Sequence, residues 1–198
     1  MLPDRYIFAR YQEKRAEFEK HAEVTLIGHS LFDMWALQPN GTPNLAGKSV
    51  ANLGISGVST RQYLEVIVEQ NCIRQLGQTV FIFLGVNDIC KEKQYSPAQV
   101  MRWLEQIFQI LRQNSPNSTY YLLEATPVNQ ITTVTNEEIR LLNDYLKTHR
   151  PQSLGYIPTQ THFCDEKGNL NPHLCTDGLH FNQAGYGILE TLLIPYLT

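Results

Sequence analysis

Thr79-Val80-Phe81-Ile82-Phe83-Leu84 is apolar and mostly β-branched or aromatic, and it stops at Gly85. A run of this length without polar alternation fits a strand covered on both faces, the kind found in parallel sheets flanked by helices. Working outward, Val24-Thr25-Leu26-Ile27 ending at Gly28 and Ser49-Val50-Ala51-Asn52-Leu53 read as two earlier strands, and Thr119 to Leu123 and Leu154-Gly155-Tyr156-Ile157 as two later ones. Helical patterns separate them. Polar periodicity runs from about Arg5 to His21, Thr60 to Leu76 follows a Ser59 or Thr60 cap, and Ser96-Pro97 opens a helix through about Gln113. Asn136 to His149 and about Asn182 to Tyr196 complete the set. Strands alternating with helices predict one α/β domain over residues 1–198, a three-layer α/β/α sandwich around a parallel five-stranded sheet.

The bulk composition excludes several classes. Lys plus Arg is 16 against 19 Asp plus Glu, a formal charge of -3, so no positive field attracts nucleic acid or anionic lipid. Residues 1–22 are rich in Arg, Lys and Glu without the apolar core of a signal peptide, and no later run has membrane-spanning length. A cytoplasmic location without membrane insertion is the expectation, and a reducing compartment would keep the four cysteines as thiols. His162, Cys164, His173 and Cys175 offer two imidazoles and two thiols, but their spacing fits none of the common zinc modules. The expectation is no metal and an irregular loop there, with a Cys164–Cys175 disulfide as the alternative.

In an open α/β sheet, ligands bind beyond the carboxyl ends of the strands, and several chemically capable residues fall there. Ser30 follows the first strand in Gly28-His29-Ser30, where Gly28 permits a turn that a Cβ would obstruct. Asp177-Gly178-Leu179-His180-Phe181-Asn182 leads into the last helix, and its spacing lets one carboxylate reach one imidazole nitrogen and leave the other for Ser30. A serine hydroxyl needs such a base, and the base a carboxylate to fix its tautomer. Ser30, His180 and Asp177 are therefore candidate nucleophile, base and orienter. Two further strand ends supply hydrogen-bond donors for a developing oxyanion: the Gly57 N–H in Asn52-Leu53-Gly54-Ile55-Ser56-Gly57 and the Asn87 amide in Gly85-Val86-Asn87-Asp88. Each has a structural alternative, with Gly57 serving a turn, Asn87-Asp88 capping a helix and Asp177-Gly178 a simple helix entry.

Gly-x-Ser, Asn-x-Gly-Ile-x-Gly, Gly-x-Asn-Asp and Asp-Gly-x-His-x-Asn, each after a predicted strand, together resemble the SGNH (GDSL-like) hydrolase family from Val24 to the last helix. The resemblance implies a flavodoxin-like sheet, Ser30, His180 and Asp177 as catalytic residues, and the Ser30 N–H, Gly57 N–H and Asn87 side chain as oxyanion hole. It also implies no cofactor. One position departs from the pattern: the family usually carries Gly-Asp-Ser where this chain has Gly28-His29-Ser30. His29 as a second base is disfavoured because adjacent residues in a tight turn point apart. The expectation is that it holds neighbouring loops together and that its charge makes activity sensitive to mild acid.

Leu31-Phe32-Asp33-Met34-Trp35 is an apolar opening after the nucleophile, so His29, Phe32 and Trp35 are candidate walls of a substrate pocket, with packing under the sheet as the alternative. A chain of 198 residues leaves little for a large lid. The expected partner is a small-molecule ester with a short acyl group such as acetyl, cleaved through an acyl-enzyme. Alternative readings are acyl transfer or thioester cleavage on the same site, and a non-catalytic carbohydrate-binding domain of the same architecture. The sequence gives no reading of oligomeric state.

Overall fold

The chain is described by a computed structural model covering residues 2–197. Five parallel strands form one sheet: β1 (Val24–Gly28), β2 (Val50–Gly54), β3 (Thr79–Phe83), β4 (Thr119–Leu123) and β5 (Gly155–Ile157). Their spatial order is β2-β1-β3-β4-β5, in the register Gly28↔Gly54 and Gly28↔Phe83 at the carboxyl ends of the central strands. This is the doubly wound order predicted, with its switch point between β1 and β3.

Alternate residues of each strand enter opposite cores, as the two-residue period of a strand requires. Ile27, Val80 and Ile82 share a core with α1 (Asp4–Glu13), α2 (Arg15–Phe18), the π turn Tyr63–Val68 that continues α4 (Thr60–Gln62), α6 (Pro97–Asn114) and α7 (Asn136–His149). Leu26, Phe81 and Phe83 face α3 (Ser30–Asp33), α8 (Gln160–Phe163) and α9 (Gln183–Leu193). Between β3 and α6 lies α5 (Val86–Lys91). Phe81 and Phe83 are wholly buried, each contributing about 1.5–3 kcal/mol of transfer free energy.

Two predicted helices differ from the observed ones. The helix expected over Thr60–Leu76 begins with a Ser59 capping box, widens into a π turn over Tyr63–Val68, and is over by Asn71, which sits at φ +53°. Its bonds run five residues back, from Glu69 N–H to Leu64 O and Cys72 N–H to Ile67 O. The helix expected over Arg5–His21 breaks at Lys14, whose ammonium turns inward to Asp33 Oδ1 at 2.8 Å and Gly54 O at 2.6 Å. No helix among the described residues is long and apolar enough to cross a membrane.

Candidate functional site

Ser30 is the first residue of α3, directly beyond β1 at the switch point. Gly28 lies in the strand, and a Cβ there would stand 2.8 Å from both Phe83 O and the Phe32 ring, so the close approach of β1, β3 and α3 requires glycine. His29 caps α3 by accepting the Leu31 N–H on Nδ1 at 3.3 Å.

His180 arrives from the other end of the chain in the loop before α9. That loop is held by Thr176 N–H donating to His180 O at 2.9 Å, and by Asn182, whose Oδ1 caps α9 through the Gly185 N–H at 3.1 Å. The Asp177 Oδ1 atom accepts the N–H groups of Leu179 and His180 at 3.0 and 2.8 Å, which closes the turn and aims the second oxygen at the imidazole. Asp177 Oδ2 then lies 2.7 Å from His180 Nδ1, and His180 Nε2 lies 3.1 Å from Ser30 Oγ. Partial burial pushes the Asp177 carboxyl up, but the imidazole and the two N–H donors outweigh it and hold it below its ordinary value. With Nδ1–H directed at the carboxylate, Nε2 presents a lone pair to the hydroxyl, the tautomer that proton acceptance from Ser30 requires.

The loop after β2 reaches the same edge. Ile55 N–H donates to Gly28 O at 2.9 Å, and Ser56 N–H and Oγ–H donate to Asp33 Oδ2 at 2.9 and 2.7 Å. Gly57 follows at φ +76°, a conformation that favours glycine, so the turn named as its structural alternative is present and leaves the donor role untouched. Asn87, on α5 beyond β3, donates one amide hydrogen to Val58 O at 2.9 Å and keeps the other. Asp88, beside it, is fully buried and accepts the Thr60 N–H and hydroxyl.

The candidate pocket residues lie elsewhere. His29 and Phe32 are 2% and 0% exposed and belong to the packing around Phe83, whose ring centroid is 4.8 Å from that of His29 and 5.4 Å from that of Phe32. Trp35 stacks on Tyr186 and lines a cavity of about 220 Å³ whose described wall includes neither Ser30, His180 nor Asp177. Burial drives the His29 pKa down to about 3, with the charges of Lys91 and His180 adding to the effect. The ring is therefore neutral in mild acid, and the acid sensitivity expected of its charge does not follow. The hydrogen bond of His29 is local, to the Leu31 N–H of its own turn, and the Nε2 atom has no hydrogen-bond partner among the described residues. Among the described residues no group of three or more His, Cys, Asp or Glu is placed to hold a metal ion, and all four cysteines are free thiols.

Two residues at this edge were not singled out from sequence. Lys91 donates to Gly57 O at 2.8 Å, and the Leu2 Cδ1 atom lies 2.6 Å from where a Cβ on Gly57 would sit. The four-residue spacing of Asn87 and Lys91 on one helix was the available signal.

The chain belongs to the GDSL-like Lipase/Acylhydrolase family, matching it over residues 26–188. Family and fold together support acyl hydrolysis as its general class of activity. It is 36% identical over 184 residues to an N-acylneuraminate cytidylyltransferase of Escherichia coli O18:K1:H7, covering 93% of this chain and 42% of that protein. A protein of the same name from Streptococcus agalactiae serotype III is 28% identical over 111 residues, 56% of this chain and 26% of that protein. The chain thus spans less than half the length of these curated relatives. Among solved structures, a GDSL-like lipase of Bacteroides thetaiotaomicron has the same fold, with a TM-score of 0.78 at 19% identity over 96% of this chain and 98% of that one.

Proposed function

We propose that this chain is a serine esterase that removes a short acyl group, acetyl first among them, from a sugar hydroxyl. The observation that carries the reading is the unbroken path from Asp177 Oδ2 through the His180 ring to Ser30 Oγ, with steps of 2.7 and 3.1 Å. As Oγ attacks the ester carbonyl, Nε2 takes its proton and Asp177 stabilises the imidazolium that results. The Ser30 N–H, the Gly57 N–H and the free amide hydrogen of Asn87 receive the oxyanion, each such donor contributing about 10²–10³ in rate. The alcohol departs with the proton held on Nε2, and water repeats the sequence on the acyl-enzyme to free the acid and restore Ser30.

Two observations support a small acyl group. Phe32 packs in the core instead of lining a channel, and Leu2 closes against Gly57. The sugar alcohol is supported by the relatives' name, since an N-acylneuraminate is an acylated sugar acid. Cytidylyl transfer is not carried over, because the match covers only part of those proteins.

The test is hydrolysis of an aryl acetate and of an O-acetylated sugar acid by the parent and by Ser30→Ala. Turnover of both by the parent, with kcat at least about 10³-fold lower in the variant, is the expected result. Near-parental turnover by Ser30→Ala would refute the assignment. A parent that bound the sugar but cleaved neither ester would favour the carbohydrate-binding alternative.

A further inference from the structure

Asn87 and Lys91 stand four residues apart on α5 and both grip the loop after β2, Asn87 through Val58 O and Lys91 through Gly57 O. An ammonium has three N–H donors, and the bond to Gly57 O at 2.8 Å uses one. Lys91 is only partly exposed, and among the described residues it forms no ion pair. The acidic side chain beside it on α5, Asp88, is fully buried and occupied by Thr60. Burial pulls the Lys91 ammonium below its ordinary pKa, partly offset by the charges of Cys90 and Asp88. The Lys91 charge also acts on His29, the neighbour of the nucleophile in sequence.

A partly desolvated cation without a counter-charge gains from one supplied by solvent or ligand. The structural alternative, that Lys91 only steadies Gly57, uses one of its three donors and leaves the other two open to solvent or to a ligand. Lys91 Nζ lies 3.5 Å from where a Cβ on Gly57 would sit, and so beside the donor assigned to the oxyanion. We propose that Lys91 forms a subsite for a carboxylate carried by the ester substrate, which binds the N–H groups that Gly57 O leaves free. This deepens the sugar-ester reading above and rests on it: Ser30 and Gly57 would hold the reacting carbonyl while Lys91 selects acidic over neutral esters.

The matched probes are 4-acetoxybenzoate and its methyl ester, which differ in the charge of one substituent. Binding is measured by calorimetry on Ser30→Ala, where neither ester is consumed, with and without Lys91→Gln or Lys91→Arg. The expected result is that Lys91→Gln weakens 4-acetoxybenzoate about tenfold more than the methyl ester, the difference one charge-assisted bond supplies, and that Lys91→Arg largely restores the preference. Equal weakening of both probes, or none, would overturn the subsite and leave Lys91 as a positioning residue. Turnover of both esters by the parent is followed alongside. Its absence would sink the esterase reading, while the binding comparison would still decide the subsite.

Discussion

Asp33 Oδ2 accepts both the N–H and the hydroxyl of Ser56, at 2.9 and 2.7 Å, so one buried carboxylate in α3 fixes the loop that presents Gly57. The same carboxylate binds Lys14 Nζ at 2.8 Å and Arg10 Nη2 at 3.0 Å. Burial pushes its pKa up, but Arg10, Lys14 and Ser56 outweigh burial and hold it below the ordinary range. The helix that carries Ser30, the loop that presents Gly57 and the amino-terminal helices are thus tied at a single point.

Asp33→Asn removes that charge and leaves the Lys14 ammonium largely buried, with only Gly54 O as a strong acceptor. Breaking a buried pair from one side costs about 3–5 kcal/mol, and the partial exposure of Arg10 places the expected loss near the lower end. Urea unfolding should show it as a lower midpoint at unchanged slope. An unshifted midpoint would mean that the cluster does not brace the loop.

Asp177→Asn keeps an acceptor for the Leu179 and His180 N–H groups but no longer holds Nδ1–H as a carboxylate does. The expected effect is a fall in kcat of about 10²–10⁴, as loss of the correct tautomer produces in such triads, with KM little changed. Steady-state kinetics on an aryl acetate measures both quantities, and kcat within threefold or so of the parent would remove Asp177 from the mechanism.

His29 gives a pH prediction for stability. Its folded pKa of about 3 lies below the ordinary 6.5, so between those values the unfolded chain binds the proton that the folded chain refuses. Stability is complete above about pH 6.5 and falls with acid at up to about 1.4 kcal/mol per pH unit. His29→Asn retains an acceptor for the Leu31 N–H and cannot titrate. Denaturant unfolding between pH 7 and pH 4 should show a shallower acid loss in this variant than in the parent. Parallel curves would contradict a buried neutral imidazole.

Much of this architecture can be read locally in the chain. The Thr79–Leu84 run specifies a doubly covered strand by composition alone, and Asn182 and Ser96-Pro97 mark helix starts through bonds within one turn. The Asp177-x-x-His180 turn is local in the same sense, so its carboxylate–imidazole pair is visible before folding. Contacts made across the fold are not. The break at Lys14 depends on Asp33 and Gly54 O, both distant in sequence. Phe32 and Trp35 carry the same apolar signal whether they face a ligand or the core, and only the packing against Phe83 and Tyr186 decides. Lys91 is one of 16 cations in the sequence, and its place beside Gly57 emerges only when β2 and β3 share an edge.

The activation of one hydroxyl by one imidazole is tested most directly by treating the protein with a fluorophosphonate and locating the adduct by peptide mass spectrometry. A rapid, stoichiometric adduct on Ser30, absent in Ser30→Ala and slowed at least about 10²-fold in His180→Ala, is the predicted result. No adduct on Ser30, or labelling at the parental rate without His180, would contradict it.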